Sequence, residues 1–578
     1  MLKISNEFRK YYLKNSNILI WYKKPKEILK VKKNNRYIWF PDGKLNLYEN
    51  CISKNLKKDK IAIITVNSDK KLKKYTFQQL DQKVNHMAAY LNKFSKNKKI
   101  RIMIHASASI ESAVLMLTCA KLGLHFSVIF EELESVGIQN RIKLFKPNIF
   151  FTRLSKEIFI SKIKYKLKNK IKFVYKAEIK KIIDNKLKSK PIKNKIVNSY
   201  NSLFTLFTSG STGAPKGITH STGGYLFYSK QTCQKQFGMN ENSVVFTASD
   251  AGWINGHTYS LFGPLSLGST TILIEKPILL LDTNLFKKIL NLKISILYLP
   301  VTIIRLIKSF NKNLKINKKY ICALGSMGEP LAPPVAEWFA KNFFKKNNVI
   351  VNTYFQTETG GIICSPKYNQ QINNVPHGSV GQPLSRHVKL NDLEKKNIKE
   401  IKIISPWPGI MKDVINGKTV WNKYWDNKNN FRLFDLSTKK KKNIFIHGRN
   451  DDVVNIRGHR IGSEEIESTL LKIKKITECC VITLDDKLEG SKICLFVVAN
   501  INLDTQIEKI IISTFGTFAL PKKIFYVNQI PKTGSGKILR RLLRNALSNP
   551  QTTDYGDTST ILNLESLKNI HRMLKSNG

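Results

Sequence analysis

Acidic side chains are scarce in this chain: 41 Asp and Glu stand against 97 Lys and Arg, a formal net charge of +56. Such an imbalance suits nucleic acid, an anionic surface or small acidic substrates. The lysines are nevertheless spread along the whole chain and interleaved with Asn and Ile, residues favoured by AT-rich codons, so drift in base composition is sufficient to explain them. The longest basic run, residues 439–442, lies between two strand-like stretches and reads as an exposed turn. Cysteine is also sparse: eight residues without metal-ligand spacing make no disulfide framework, and the adjacent Cys479 and Cys480 read as small buried residues of a strand. A reducing cytoplasm fits. No long apolar run is present, because the most apolar window, residues 113–130, is broken by Lys121, Gly123 and His125 and reads as a helix turning into a strand. The first ten residues have no apolar core or cleavage site for secretion, and their few Arg and Ser argue against a transit peptide. No internal repeat is found.

With 578 residues, 42% of them hydrophobic, the chain can fill a large body and at least one smaller domain. Helical periods alternate with short β-branched runs: residues 77–94 helical, 101–105 strand-like, 111–122 helical, 125–130 strand-like. This alternation predicts an α/β fold with layered, largely parallel sheets. Residues 162–195, rich in Lys and Ile and without clear caps, read as a surface excursion. A boundary is expected at 448–452, dividing an N-terminal domain, 1–450, from a small α+β C-terminal domain, 451–578. In the latter a helix should start at Ser463, strands should cover 481–484 and 493–498, and a further helix should lie near 505–515. The final helix is expected to begin near Lys537 and bury Ile538, Leu542 and Ala546.

The densest chemistry lies in Thr208-Ser209-Gly210-Ser211-Thr212-Gly213-Ala214-Pro215-Lys216-Gly217, directly after the apolar run 203–207. Glycines let backbone N–H groups converge on an anion, the hydroxyls of Thr208, Ser209, Ser211 and Thr212 add donors, and Lys216 adds a positive charge. A Walker A loop is excluded, since there the lysine follows the last glycine at once and opens a helix. Pro215 disfavours helical dihedrals at Ala214, which implies a pliable lid over phosphates. A solvated Gly/Ser/Thr surface loop is the plain alternative.

The loop resembles the signature of the adenylate-forming superfamily, and four further matches follow in that superfamily's order: Gly328-Glu329-Pro330, then Tyr354-Phe355-Gln356-Thr357-Glu358-Thr359-Gly360-Gly361, Gly448-Arg449-Asn450-Asp451-Asp452, and Pro531-Lys532-Thr533-Gly534-Ser535-Gly536-Lys537. Five ordered motifs are far more specific than one. Thr219-His220-Ser221-Thr222-Gly223-Gly224-Tyr225, Gly252-Trp253-Ile254-Asn255-Gly256-His257, Gly458-His459-Arg460-Ile461-Gly462 and Gly556-Asp557-Thr558-Ser559-Thr560 are similar to the acetyl-CoA and propionyl-CoA synthetase branch, as is the leading stretch from Trp39-Phe40-Pro41 to Leu45-Asn46.

That resemblance implies an AMP-forming short-chain acyl-CoA ligase whose substrates are a small carboxylic acid, ATP and CoA, with Mg²⁺. By the same resemblance, residues 208–216, including Gly210 and Gly213, hold the β- and γ-phosphates, and Thr212 with Glu358 binds the metal. Gly328, Glu329 and Pro330 line the adenine, Tyr354 stacks on it within the 354–358 motif that also contains Gln356 and Thr357, and Asp435 accepts from the ribose. Arg449 and Arg460 contact ribose and phosphate. Lys537 is the catalytic lysine, Asp451 the hinge, and Gly458 the point where the pantetheine arm approaches backbone. A lysine acyltransferase and deacylase acting on Lys537 are implied as partners; no nucleic acid and no membrane span are expected, and the oligomeric state is left open.

The chain departs from the acetate pattern at the acyl pocket. Ile254-Asn255 stands where relatives have Val-Thr, Met327 replaces a valine, and Phe355 replaces the tryptophan of the pocket floor. Asp435 follows Leu433-Phe434 in place of a Thr-Gly pair. The basic motif for the CoA 3′-phosphate, expected near 153–165, is not recognisable. Two rival readings remain: an enzyme that adenylates an acid and loads a carrier-protein thiol, and a binder of nucleic acid or anionic surfaces that rests on charge alone.

Overall fold

The computed structural model describes the chain except residues 1–4, 57–58, 96–99, 134, 163–170, 186–190, 210–214, 311–317, 345–348, 372–373, 386, 394–397, 416, 450–452, 457–458, 487–489, 534–535, 537, 553–554, 556–557, 559–560 and 577–578. Its architecture is α/β and is built on two seven-stranded sheets. In the first, the strands run in the spatial order Asp413–Val414, Pro215–Ser221, Ser202–Ser209, His125–Ile129, Arg101–His105, Ile149–Thr152 and Lys172–Val174. In the second the order is Val351–Asn352, Ala323–Met327, Ile296–Pro300, Val244–Thr247, Thr270–Ile274, Ile61–Val66 and Leu72–Thr76. Most neighbours are parallel; antiparallel pairs occur toward one edge of each sheet, including the hairpin of Ser202–Ser209 with Pro215–Ser221.

Strands covered on both faces must be apolar at successive positions, not alternate ones. Ile296–Pro300 meets this requirement and is buried at every residue; Thr270–Ile274 is likewise buried throughout, with the Thr270 and Thr271 hydroxyls satisfied by donating to the Ile61 and Ser260 carbonyls. Helix Ile110–Lys121 starts on a reciprocal cap between Ser109 and Ser112 and is buried at all but one of its residues. Here the strand and helix expectations for residues 77–130 agree with the structure to within a residue or two at each end.

The stretch 162–195 differs from its reading as a surface excursion. Lys172–Val174 adds an edge strand to the first sheet, and helix Lys176–Ile183 buries Ile179 and Ile183 in the main core. Those two isoleucines are four apart and share one helical face, which is enough to seat a short lysine-rich helix while its cations stay in water.

From Ser463 onward the chain forms apolar clusters of its own. Glu478–Asp486 and Gly490–Val498 are antiparallel, and Lys523–Tyr526 joins them in parallel. Alternate residues serve opposite faces: Cys479, Val481, Leu495 and Val497 pack with helices Ser463–Leu470 and Asp504–Phe515, whereas Cys480, Ile482, Cys494 and Phe496 pack with Arg540–Ser548 and Leu564–Ser576. The helix expected from Lys537 begins at Arg540, and it is not the last, because Leu564–Ser576 follows and buries Leu567, Ile570 and Leu574. No helix among the described residues is long and apolar enough to cross a membrane.

Candidate active site

Glu358 sits in a single turn of 3₁₀ helix, Thr357–Thr359, whose backbone is held on three sides. His220 Nε2 donates to the Thr357 carbonyl at 2.7 Å, the Met411 amide donates to the Glu358 carbonyl at 2.9 Å, and Trp407 Nε1 donates to the Thr359 carbonyl at 3.0 Å. A carbonyl only accepts, so His220 carries its proton on Nε2; burial pushes its pKa down to about 4 and keeps the ring neutral. Gly360 follows with φ of +68°, and a Cβ there would lie 2.2 Å from the Gly409 carbonyl oxygen, so only glycine lets the chain turn at this point. The Glu358 carboxylate itself accepts from the Tyr424 hydroxyl through Oε1 at 2.6 Å. No other hydrogen bond to this carboxylate occurs among the described residues.

Beside this turn, Tyr354, Gln356 and Asp435 form one polar group. Asp435 Oδ2 accepts from the Tyr354 hydroxyl at 2.7 Å and from Gln356 Nε2 at 2.6 Å, and Gln356 Nε2 also reaches the Leu433 carbonyl. Asp435 lies opposite Arg449 in the pairing of strands Phe431–Lys440 and Asn443–Arg449. Phe434 takes φ of +57°, a left-handed conformation that is unfavourable for a residue with a Cβ. The backbone shape before Asp435 is therefore one that glycine would adopt freely, and Arg432 lies 4.7 Å over the Phe434 ring.

Thr208 and Lys216 face each other across the hairpin, with Ser209 opposite Pro215; Gly210, Ser211, Thr212 and Gly213 lie outside the described residues. Lys216 Nζ stands 5.5 Å from the centre of the Tyr424 ring, so the hairpin base and the Glu358 turn meet at Tyr424. Gly328, with φ of +90° and open space where a Cβ would be, leads out of strand Ala323–Met327 into Glu329 and Pro330. Glu329 pairs with Arg305 at 2.7 Å. Burial opposes its ionisation, yet Arg305, Lys532 and Arg540 outweigh this and hold the carboxyl below its usual value.

The four residues expected at the acyl pocket come together in part. Asn255 Nδ2 donates to Met327 Sδ, while Asn255 Oδ1 is buried with no hydrogen-bond partner among the described residues. Met327 shares an apolar cluster with Tyr259, against which Phe355 packs edge-on at 5.6 Å. Ile254 is buried in the neighbouring cluster, which Phe355 also borders. Arg460 belongs to strand His459–Gly462, opposite Asn455. Asp451, Gly458 and Lys537 lie outside the described residues.

Sequence reading missed Tyr424, the hydroxyl donor to Glu358, although the aromatic-rich run Trp421-Asn422-Lys423-Tyr424-Trp425 was a visible signal. It also missed Thr302 and Arg305, on helix Val301–Phe310, which meet Gly536 and Glu329. Glu329 is distant in sequence from Lys532 and Arg540 and becomes their neighbour only in the fold.

Comparison with known proteins adds a full-length frame. The family model described as AMP-binding enzyme matches residues 53–403, its C-terminal domain matches 465–537, and the model for the acetyl-coenzyme A synthetase N-terminus matches 5–51. The chain is 31% identical to acetyl-coenzyme A synthetase of Helicobacter pylori (strain P12), over 96% of this chain and 91% of that one. It is also 31% identical to the protein of that name from Cupriavidus necator, over 95% and 92%. Among solved structures, acetoacetyl-CoA synthetase from Streptomyces lividans has the same fold with a TM-score of 0.82 at 16% identity, covering 99% of this chain and 92% of that one. An anthranilate CoA ligase solved with anthranoyl-AMP gives 0.75 at 18%, covering 87% and 97%.

Proposed function

The chain belongs to the AMP-binding enzyme family, and from that premise we propose that it is an AMP-forming ligase joining a short-chain carboxylic acid to CoA. The observation that carries the reading is the near-complete span of its similarity to acetyl-coenzyme A synthetases, together with a rigidly framed Glu358 beside the Tyr354–Gln356–Asp435 group. In the first half-reaction a carboxylate oxygen attacks the α-phosphorus of ATP and pyrophosphate leaves, giving an acyl-adenylate. In the second the CoA sulfur attacks the acyl carbon, losing its proton, and AMP departs with the oxygen that came from the acid.

Both attacks face negative charge, so the site's work is alignment and neutralisation. Glu358 and Thr212 supply oxygen donors of the kind Mg²⁺ takes, and the fixed turn around Glu358 suits a carboxylate that must hold a metal without rearranging. When bound, the ion offsets charge on the triphosphate. Lys216 and the hydroxyls and amides of 208–213 bind the β- and γ-phosphates. Tyr354 and the 328–330 turn receive adenine, Asp435 orients the ribose, and Arg449 and Arg460 approach ribose and phosphate. Lys537 stabilises charge at the α-phosphate during adenylation. The small domain, from 451 onward, then turns about Asp451 so that the pantetheine arm can enter beside Gly458.

Ile254, Asn255, Met327 and Phe355 shape the acyl pocket, and with an aromatic floor the acids accepted are acetate and propionate. A lysine acyltransferase and deacylase acting on Lys537 would switch the first half-reaction by removing and restoring its charge. All eight cysteines are free thiols, seven of them buried, which suits a reducing cytoplasm. The test is pyrophosphate release across a panel of C2 to C6 acids, with and without CoA. Release with C2 or C3 acids, and thioester only when CoA is present, is the expected result; no release with any acid defeats the reading.

A further inference from the structure

We infer that Thr302 and Glu329 are positioning residues, which dock residues 532, 536, 538 and 540, the sequence neighbours of Lys537, onto the nucleotide side of the large domain for adenylation and are not needed for thioester formation. This rests on the ligase reading above. Thr302 lies in the first turn of helix Val301–Phe310, immediately after the fully buried strand Ile296–Pro300. Its hydroxyl donates to the Gly536 carbonyl at 2.7 Å, a buried bond between residues 234 apart in sequence. Gly536 has φ of +88°, and a Cβ on it would stand 2.6 Å from Thr302 Cβ. Side chain and backbone are thus in close contact, and the glycine is what permits the approach.

Glu329 makes the second connection. It sits one residue beyond Gly328, in the turn expected to line the adenine, and is paired to Arg305 on the helix that also carries Thr302. Lys532, Arg540 and the backbone N–H of Ile538 all favour its ionised form. The two small-domain cations are themselves paired: Lys532 with Glu478, and Arg540 with both oxygens of Glu467. These side chains are only 9–15% exposed, so the charges act on one another with little screening by water. Position 537 is therefore flanked on both sides: Thr302 holds residue 536 by a hydrogen bond, and the charges of Lys532 and Arg540 act on Glu329, which is itself fixed by Arg305. A purely structural interface would matter equally to both half-reactions. This one joins the nucleotide turn to the segment of the small domain that must leave when the domain rotates, so its loss should fall on adenylation alone.

The test uses the full-length protein and three variants: Thr302→Val, which keeps shape and removes the donor; Thr302→Ser, which keeps the hydroxyl; and Gly536→Ala, which forces a methyl against Thr302 from the other side. Thr302→Val should lower the rate of pyrophosphate exchange into ATP by about tenfold, the scale of one buried hydrogen bond, and Gly536→Ala should lower it at least as much. Thr302→Ser should stay within about twofold of the parent. Thioester formation from supplied acetyl-adenylate and CoA should be unchanged in all three. Amide hydrogen exchange in a peptide covering 531–542, measured without substrates, should be faster in Thr302→Val and Gly536→Ala than in the parent. Equal losses in both half-reactions, or unaltered exchange in that peptide, would overturn the inference. A parent that makes no pyrophosphate with any acid would defeat the ligase reading instead, and the hydrogen-exchange comparison would still decide the docking.

Discussion

Replacing Phe355 by glycine should shift acid preference from two or three carbons toward four to six. The ring packs edge-on against Tyr259 at 5.6 Å and 72°, with Met327 in the same apolar cluster. Collapse into the vacated space is resisted because Tyr259 is fixed at both ends. Its hydroxyl accepts from the Ile362 amide at 2.8 Å and lies 3.1 Å from the Thr232 hydroxyl, and its carbonyl accepts from the Thr247 hydroxyl at 2.9 Å. Met327 is the adaptable neighbour and will fill part of the void. Each methylene buried in what remains is worth about 0.8 kcal/mol, roughly fourfold in affinity. Butyrate has two more than acetate, so the ratio of their kcat/KM values should move by up to about 1.6 kcal/mol, roughly 15-fold. Truncating a fully buried phenylalanine costs about 3–5 kcal/mol of stability, and less is expected for this half-buried ring, so a thermal melt should accompany the kinetics. The assay is kcat/KM for acetate, propionate, 3-hydroxypropionate, butyrate and hexanoate on parent and variant. A parent that already prefers hexanoate, or a folded variant with the same ranking, would refute the pocket assignment.

Three further predictions concern other parts of the molecule. Lys537→Ala should abolish adenylation, a loss of roughly 2.7–4 kcal/mol or more in transition-state stabilisation, while thioester formation from supplied acyl-adenylate survives; exchange of pyrophosphate into ATP at the parent rate would remove Lys537 from the mechanism. Asp451→Pro should spare one half-reaction and sharply reduce the other, because proline fixes φ at the expected hinge; equal reduction of both in a folded protein counts against that role. Burial, with the Lys54 cation alongside, pushes the Lys230 amine down to about 7, whereas the unfolded chain keeps this proton to about 10.4. Between those values the unfolded state binds more protons, so the parent's stability relative to Lys230→Met should rise as pH increases from 7 toward 10; a gap in melting temperature that is the same at pH 6.5 and 9.5 would contradict this.

The sequence made local elements legible where burial was nearly continuous or confined to one helical face. Arg101–His105 and helix Phe77–Ser95 follow from their own residues, because a strand covered on both faces or a long amphipathic helix announces itself over a single window. Helix Leu564–Ser576 is legible in the sequence too, since Leu567, Ile570 and Leu574 recur at helical spacing. Helix Lys176–Ile183 was harder, since only two isoleucines reach the core through a lysine-rich surface. At the candidate site, Glu358 and Asp435 were singled out from motif residues, yet Tyr424 bonds Glu358 across 66 positions and Thr302 bonds Gly536 across 234. No periodicity reports such contacts, because they depend on how separate layers meet.

The central claim, that the acid is activated by attack on the α-phosphorus, is tested most directly by following an oxygen atom. With acetate or propionate labelled with ¹⁸O in the carboxyl group, plus ATP, Mg²⁺ and CoA, the account predicts one labelled oxygen in AMP and none in pyrophosphate, alongside formation of the acyl-CoA thioester. Label appearing in inorganic phosphate, or unlabelled AMP accompanying thioester formation, would contradict it.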